Sequence, residues 1–232
     1  MEIPLITKYD INGYQIRVIV TDEKWKQNCY LITAKESGDQ VLVDPGSNEL
    51  LLKKMIVENG LGNLKYILLT HAHFDHIGAA YAISNAFGLP CIIQKSDMRL
   101  LNQATIYALR FGGKPVSVPK DVVTFDQDIE LKFGDEEIKV FFTPGHTLGS
   151  VSYGFNGFIL TGDTLLKNFV GRVDLPGGSA SMIKNSVELL LNNLPKETII
   201  FGGHGKPWDI TNASLWWNEA KTSLPQHNMF TH

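Results

Sequence analysis

The chain has 232 residues, 44% of them apolar and 19% charged, with 21 glycines and 10 prolines. That balance can bury a sizeable core, which excludes wholesale disorder, and neither a collagen period nor a heptad is sustained. A formal net charge of −3 without a concentrated basic face excludes a general affinity for nucleic-acid backbone.

The first twenty residues mix charges among apolar positions, unlike a signal peptide. No run of about 18 apolar residues occurs, so no membrane span is expected. Cys29 and Cys91 sit in strand-like apolar runs and are expected to be buried free thiols. The expected location is the cytoplasm.

In chain order, residues 15–20, 29–34 and 40–44 have the composition of strands and are expected to form an antiparallel meander, ended by Asp44-Pro45-Gly46. Ser47 or Asn48 can cap a helix running to about Asn59, with Leu51, Leu52, Met55 and Ile56 on one face and Asn59-Gly60 as its stop. Residues 66–70 are a short continuous apolar run, the pattern of a buried strand. A helix over 77–87, a strand over 91–94 and a helix over about 97–109 follow. The stretch 106–120 is irregular and unusually apolar, with Tyr107, Leu109 and Phe111. It reads as part of a substrate entrance or as a surface Ω-loop packed on itself.

A second strand group spans 129–133, 138–143, 150–155 and 158–163, followed by an irregular loop over 168–178. Ile183, Val187, Leu190, Leu191 and Leu194 then mark an amphipathic helix. A strand over 197–203 and a helix around 213–222 complete the pattern. Two sheet-centred halves with helices outside fit one α/β domain over residues 1–232.

Five of the seven histidines lie in three short segments rich in glycine and threonine. In His71-Ala72-His73-Phe74-Asp75-His76, an extended backbone points residues i and i+2 the same way, so His71 and His73 can grip one metal from one side. Asp75 and His76 fall where the chain turns into the next helix and can point to a neighbouring position. Three imidazoles and a carboxylate within six residues suit zinc or a similar borderline metal. A lone His-x-His would read as ordinary loop residues. His146 in Pro-Gly-His-Thr, Asp163 in Thr-Gly-Asp-Thr and His204 in Gly-Gly-His-Gly repeat one design, a ligand type beside glycine at the end of a strand. Singly, each would pass for a turn residue. His227 and His232 read as solvated tail residues.

These motifs, with Val43-Asp44-Pro45-Gly46, resemble the metallo-β-lactamase superfamily over about Asn28 to Gly205. The resemblance implies a four-layer αββα sandwich, the metallo-β-lactamase fold, with two divalent metal ions between its sheets. By that resemblance His71, His73 and His146 hold one metal, Asp75, His76 and His204 hold the second, and Asp163 bridges them. Asp44 orients a ligating imidazole from behind. Zinc is the first expectation for both metals, with iron or manganese as alternatives.

Residues 162–178 look most like the short glyoxalase II-like branch, the hydroxyacylglutathione hydrolases. In that branch a basic residue after the bridging acid helps bind the thioester. Arg172 matches its position, Lys167 lies nearby, and pairing with Asp174 is the alternative role for Arg172. The implied reaction is hydrolysis of a small-molecule acyl thioester by a hydroxide bridging the metals, with Asp75 accepting a hydrogen bond from it. The same fold also admits a persulfide dioxygenase, with one iron on His71, His146 and Asp163, or a lactonase. A non-catalytic metal-dependent scaffold would be expected to have lost some of the seven ligands.

Overall fold

The computed structural model describes residues 6–22, 24–58, 63–127 and 129–222. The chain divides into two compact units, Met1–Ile138 and Lys139–His232. Each is centred on one sheet, an α/β architecture as expected.

The first unit holds a seven-stranded sheet whose spatial order equals its chain order: β1 (Ile6–Ile11), β2 (Tyr14–Val20), β3 (Asn28–Ala34), β4 (Gln40–Val43), β5 (Leu64–Leu68), β6 (Cys91–Gln94) and β7 (Val122–Phe125). The first three pairings are antiparallel, which includes the expected meander. The last three are parallel. Parallel neighbours need a crossover, supplied by α1 (Glu49–Glu58), by α2 (Phe74–Ile77) with α3 (Ala80–Phe87), and by α4 (Met98–Asn102) with α5 (Ala104–Arg110). Ile19, Leu31, Leu42 and Ile67 of the sheet form one buried cluster with Leu52 and Ile56 of α1, Ile83 of α3 and Ala108 of α5. Fully burying each of the larger side chains contributes about 1.5–3 kcal/mol.

Several expectations are corrected here. β1 escapes an apolar-pattern reading because none of its residues is fully buried. Its partner is set instead by Asn12-Gly13, both at positive φ (41° and 86°), which a two-residue hairpin turn requires. The helix expected over 97–109 is broken at Gln103 into α4 and α5, and residues 106–110 belong to α5 rather than to a loop. The strand expected over 129–133 shrinks to β8 (Lys132–Phe133), paired with β9 (Glu136–Glu137).

The second unit holds a five-stranded sheet in the order β10 (Lys139–Phe142), β11 (Val151–Phe155), β12 (Phe158–Gly162), β13 (Ile199–Gly202) and β14 (Trp208–Asp209). Only the β12–β13 pairing is parallel. α6 (Ala180–Asn193) buries Ile183, Val187 and Leu190. It packs with α7 (Ile210–Ala220) against Ile159 and Ile200 of the sheet. α7 begins three residues before the expected start because the Asp209 carboxylate accepts the Asn212 N–H at 2.7 Å and caps the helix there. The expected helix stop at Asn59-Gly60 and the tail histidines His227 and His232 lie outside the described residues. Among the described residues no helix is long and apolar enough to cross a membrane.

Cys29 and Cys91 are free and buried. Burial pushes the Cys29 thiol well above the usual thiol range and the Cys91 thiol up to about 12. Native protein is therefore expected to be inert to a chromogenic thiol reagent at pH 8, and both thiols should react after unfolding in guanidinium.

The cap at Asp209 predicts a pH dependence. The Asn212 N–H holds the Asp209 carboxyl below its ordinary value, so the stabilisation is present above the unfolded value of 3.8 and is lost as pH falls through the lower folded value. Asp209→Ala should cost about 1 kcal/mol at pH 7. Urea melts should show that difference shrinking toward pH 3.

Candidate metal centre

Parallel pairing of β4 with β5 sets Val43 beside Leu68, so the turns that follow the two strands emerge side by side. Asp44 begins one turn and Thr70-His71 the other. Asp44 stands at φ 50°, a left-handed conformation that aspartate tolerates better than most residues. Its main-chain N–H donates to the Leu68 carbonyl at 3.0 Å, and its own carbonyl accepts from Gln27 Nε2 at 3.1 Å. The buried carboxylate is thereby aimed across the gap between the strand ends.

There it accepts three hydrogen bonds. The Thr70 N–H donates to Asp44 Oδ1 at 2.7 Å, the Thr70 hydroxyl to Oδ2 at 2.6 Å, and His76 Nδ1 to Oδ2 at 2.9 Å. Because the Thr70 hydroxyl proton is directed at Asp44, Thr70 Oγ1 accepts from His71 Nδ1 at 3.0 Å. Both imidazoles thus carry their proton on Nδ1, one facing the carboxylate directly and the other facing it through a hydroxyl. Nε2 is the lone-pair nitrogen on each ring, the state a metal requires. The ligand atoms of Asp44, His71 and His76 lie within 4.8 Å of one another.

His73 is extended (φ −68°, ψ 145°), as the alternation of His71 and His73 requires, and the two rings meet edge to face at 4.9 Å. The His71 and His76 rings are 4.1 Å apart. Asp75 and His76 lie in the first turn of α2, with Asp75 Oδ2 at 3.9 Å from His76 Nε2. α2 packs closely against the turn after β4. A Cβ on Gly46 would stand 1.9 Å from the Asp75 carbonyl oxygen and 2.3 Å from Gln27 Oε1, so only glycine fits.

Sequence reasoning missed Asp97. Its buried carboxylate accepts the N–H of Ala72, the residue between His71 and His73, at 2.9 Å. Its signal was the one that marks the other site residues, an acidic side chain shortly after a strand. No glycine stands beside it, and it reads as part of a helix start.

In the second unit, parallel pairing of β12 and β13 brings Gly162 opposite Gly202, and the Gly203 N–H donates to the Gly162 carbonyl at 2.7 Å. Asp163 and His204 follow at the same end. Asp163 Oδ2 lies 3.6 Å from His204 Nε2 and 3.5 Å from His146 Nε2. His146 Nδ1 donates to the main-chain carbonyl of Arg172 at 2.8 Å, which leaves Nε2 as its lone-pair nitrogen too. Gly171 makes this approach possible. A Cβ there would stand 2.0 Å from the Asp163 carbonyl and 2.8 Å from His146 Nδ1.

The Arg172 guanidinium forks onto Asp174 at 2.8 and 2.7 Å, and this pairing raises its already high pKa. The alternative role expected for this side chain is the one observed. Its main-chain carbonyl meets His146.

Each unit therefore gathers its own share of the donor set. His71, His73, Asp75, His76 and Asp44 lie together in the first, and His146, Asp163 and His204 in the second. Three rings with Nδ1 committed, beside carboxylates, fit a borderline divalent metal. Asp44→Asn should lower metal affinity about 10- to 100-fold, since an amide cannot accept three donated hydrogen bonds as a carboxylate does. Competition with a chromogenic chelator measures this, and Gly171→Ala should weaken binding by displacing His146.

The chain is similar to known proteins over most of its length. It is 33% identical to a probable metallo-hydrolase of Methanocaldococcus jannaschii over 192 residues, covering 80% of this chain and 90% of the relative. It is 33% identical to the hydroxyacylglutathione hydrolase GloC of Haemophilus influenzae over 196 residues, covering 81% and 89%. Among solved structures, the BLEG-1 B3 metallo-beta-lactamase superposes with a TM-score of 0.78 at 31% identity, over 85% of this chain and 95% of that one. TTHA1623, solved in a di-iron-bound form, superposes with a TM-score of 0.75 at 33% identity, over 84% and 96%. A family model of the metallo-beta-lactamase superfamily matches residues 23–204, a span that contains every site residue named above. By its fold and its sequence, the chain belongs to the metallo-β-lactamase superfamily.

Proposed function

We propose that this metallo-hydrolase is a dinuclear hydrolase of small acyl thioesters, with its cations held by histidines and carboxylates. The observation that carries the reading is the hydrogen bonding of the His71, His76 and His146 rings. Each ring has Nδ1 committed to an acceptor and presents Nε2 as a ligand atom. A relative called a hydroxyacylglutathione hydrolase and a similar structure in a di-iron-bound form support the thioester and the two-metal parts of the reading.

His71, His73 and His146 would hold one cation, Asp75, His76 and His204 the other, and Asp163 would lie between them. When bound, such a pair supplies a hydroxide nucleophile near neutral pH and polarises the acyl carbonyl. Asp75 accepts a hydrogen bond from the attacking water and fixes its lone pair toward the acyl carbon. The C–O bond forms, the C–S bond breaks, and the thiol leaves as thiolate. With a thiol pKa of about 8.5 the leaving group needs little acid assistance, so no Ser–His or Cys–His pair is required. Neither buried cysteine serves as a nucleophile.

Two metal ions per chain are expected from elemental analysis of the purified protein, zinc first, with iron or manganese as alternatives. A single iron at full occupancy, with dioxygen uptake on glutathione persulfide, would replace this reading with the dioxygenase. Activity on lactones but not thioesters would replace it with the lactonase.

Asp75→Asn should lower kcat by about 10²–10⁴ on every accepted thioester. Elemental analysis of the same variant should still find one metal, because His71, His73 and His146 are untouched. An unchanged kcat would remove Asp75 from the chemistry.

A further inference from the structure

Asp97 ends a short 3₁₀ turn, Lys95–Asp97, and stands at the N-cap position of α4. An aspartate there ordinarily has an extended backbone and accepts an N–H from the first turn of the helix that follows. This one has φ −90° and ψ −1°, and its side chain makes no capping bond to α4. The carboxylate is bonded instead to the Ala72 N–H, at 2.9 Å.

Strand pairing makes that reach possible. β6 runs parallel to β5 with Ile92 opposite Leu68, and the Leu69 N–H donates to the Ile92 carbonyl at 3.0 Å. The two strands therefore end side by side, and a residue shortly beyond β6 meets the segment that follows β5. Gln94, the last residue of β6, braces the turn that carries Asp97. Its Oε1 accepts the Ser96 N–H, and its Nε2 donates to the Asp126 carbonyl at 3.2 Å. Asp97 is 1% exposed and Ala72 is fully buried. A carboxylate in such a place is unfavourable unless it is hydrogen-bonded, and a bond it makes there is a strong one.

The bonded amide lies between two of the metal-site histidines. A peptide unit is planar, so the chain from His71 to His73 turns only about its φ and ψ angles. Holding the Ala72 N–H holds the plane that joins His71 to Ala72, and so restricts ψ of His71 and φ of Ala72. Asp44 holds the plane before Thr70 in the same way, through the Thr70 N–H. The segment carrying both histidines is pinned along its main chain by two buried carboxylates, one from the turn after β4 and one from the turn after β6.

We propose that Asp97 is a positioning residue of the metal centre, which sets His71 and His73 for a shared cation before the cation binds. It acts through the peptide between them. Ligands ordered in advance bind more tightly, because less ordering remains to be done on binding. The proposal rests on the reading above only in that those two rings share a cation, and it depends on no particular substrate.

Zinc affinity of the full chain, measured by competition with a chromogenic chelator, tests this with two substitutions. Asp97→Asn keeps an acceptor oxygen without the charge and should weaken binding about tenfold, whereas Asp97→Ala removes the acceptor and should weaken it about 100-fold. Hydrogen exchange of the metal-free protein is the second readout. The Ala72 amide should exchange at least about tenfold faster in Asp97→Ala, and measurably faster in Asp97→Asn, with the amides of β5 unchanged. Asp209→Ala, which removes the α7 cap, is the stability control. It should lower the melting temperature and leave zinc affinity as in the wild type.

Equal loss of affinity in the two Asp97 variants would assign the effect to charge alone and overturn the positioning role. Wild-type affinity in both, or the same loss in Asp209→Ala, would overturn it as well. Should Asp97→Ala not fold, Asp97→Asn decides, and wild-type exchange of its Ala72 amide counts against the proposal. Failure of the hydrolase reading is separately visible. Zinc binding weakened as stated, with no thioester hydrolysed by the wild type, keeps the role of Asp97 and sinks the hydrolase. Thioester hydrolysis with wild-type zinc affinity in both Asp97 variants does the reverse.

Discussion

Everything at the metal-binding edge of the first unit depends on one carboxylate. Asp44 accepts from the Thr70 main chain, the Thr70 hydroxyl and the His76 ring, and through Thr70 it also orders the His71 ring. Three donors converging on one anion would be a poor use of a surface aspartate. Inside a buried strand end, where charge-assisted hydrogen bonds are strongest, they settle the turn's shape and the proton positions on two imidazoles together. The strand register that places Asp44 beside Thr70 is therefore inseparable from the chemistry. A slip of one residue would turn the carboxylate away from both rings.

Much of this was legible before any coordinates. The alternation in His71-Ala72-His73 and the acidic side chain one turn later survive as an extended segment running into α2, because period-two backbone and helix entry are local properties. The buried parallel strands were legible as continuous apolar runs, since strands buried on both faces carry no polar alternation. Local rules failed where an interaction joined distant positions. Asp97 is 25 residues from the amide it holds, and nothing near it in sequence announces that bond. β1 carries almost no burial signal and is recruited by its turn. α7 starts early because a cap outweighs the modest helix preference of the residues after it.

At Arg172 a short-range partner is the one observed. Its residue type and place after Asp163 invite a reading through charge, yet its guanidinium is engaged by Asp174 two residues away. Exposed pairs of this kind contribute little to stability, about 0–1 kcal/mol. They still set the direction of a side chain, and this one forks onto Asp174.

The bond from His146 to residue 172 is made by a main-chain carbonyl. Every amino acid offers that acceptor in the same form. What the loop must preserve is the glycine before it, whose missing Cβ lets the carbonyl reach the ring. Side chains at 172 and beyond are thereby released from any duty to the histidine. Such a loop can exchange its outward groups over evolutionary time, or in a mutagenesis library, while the inner coordination remains intact. The placement of the histidine and the identity of the outward side chains are in this sense separately heritable along one short segment.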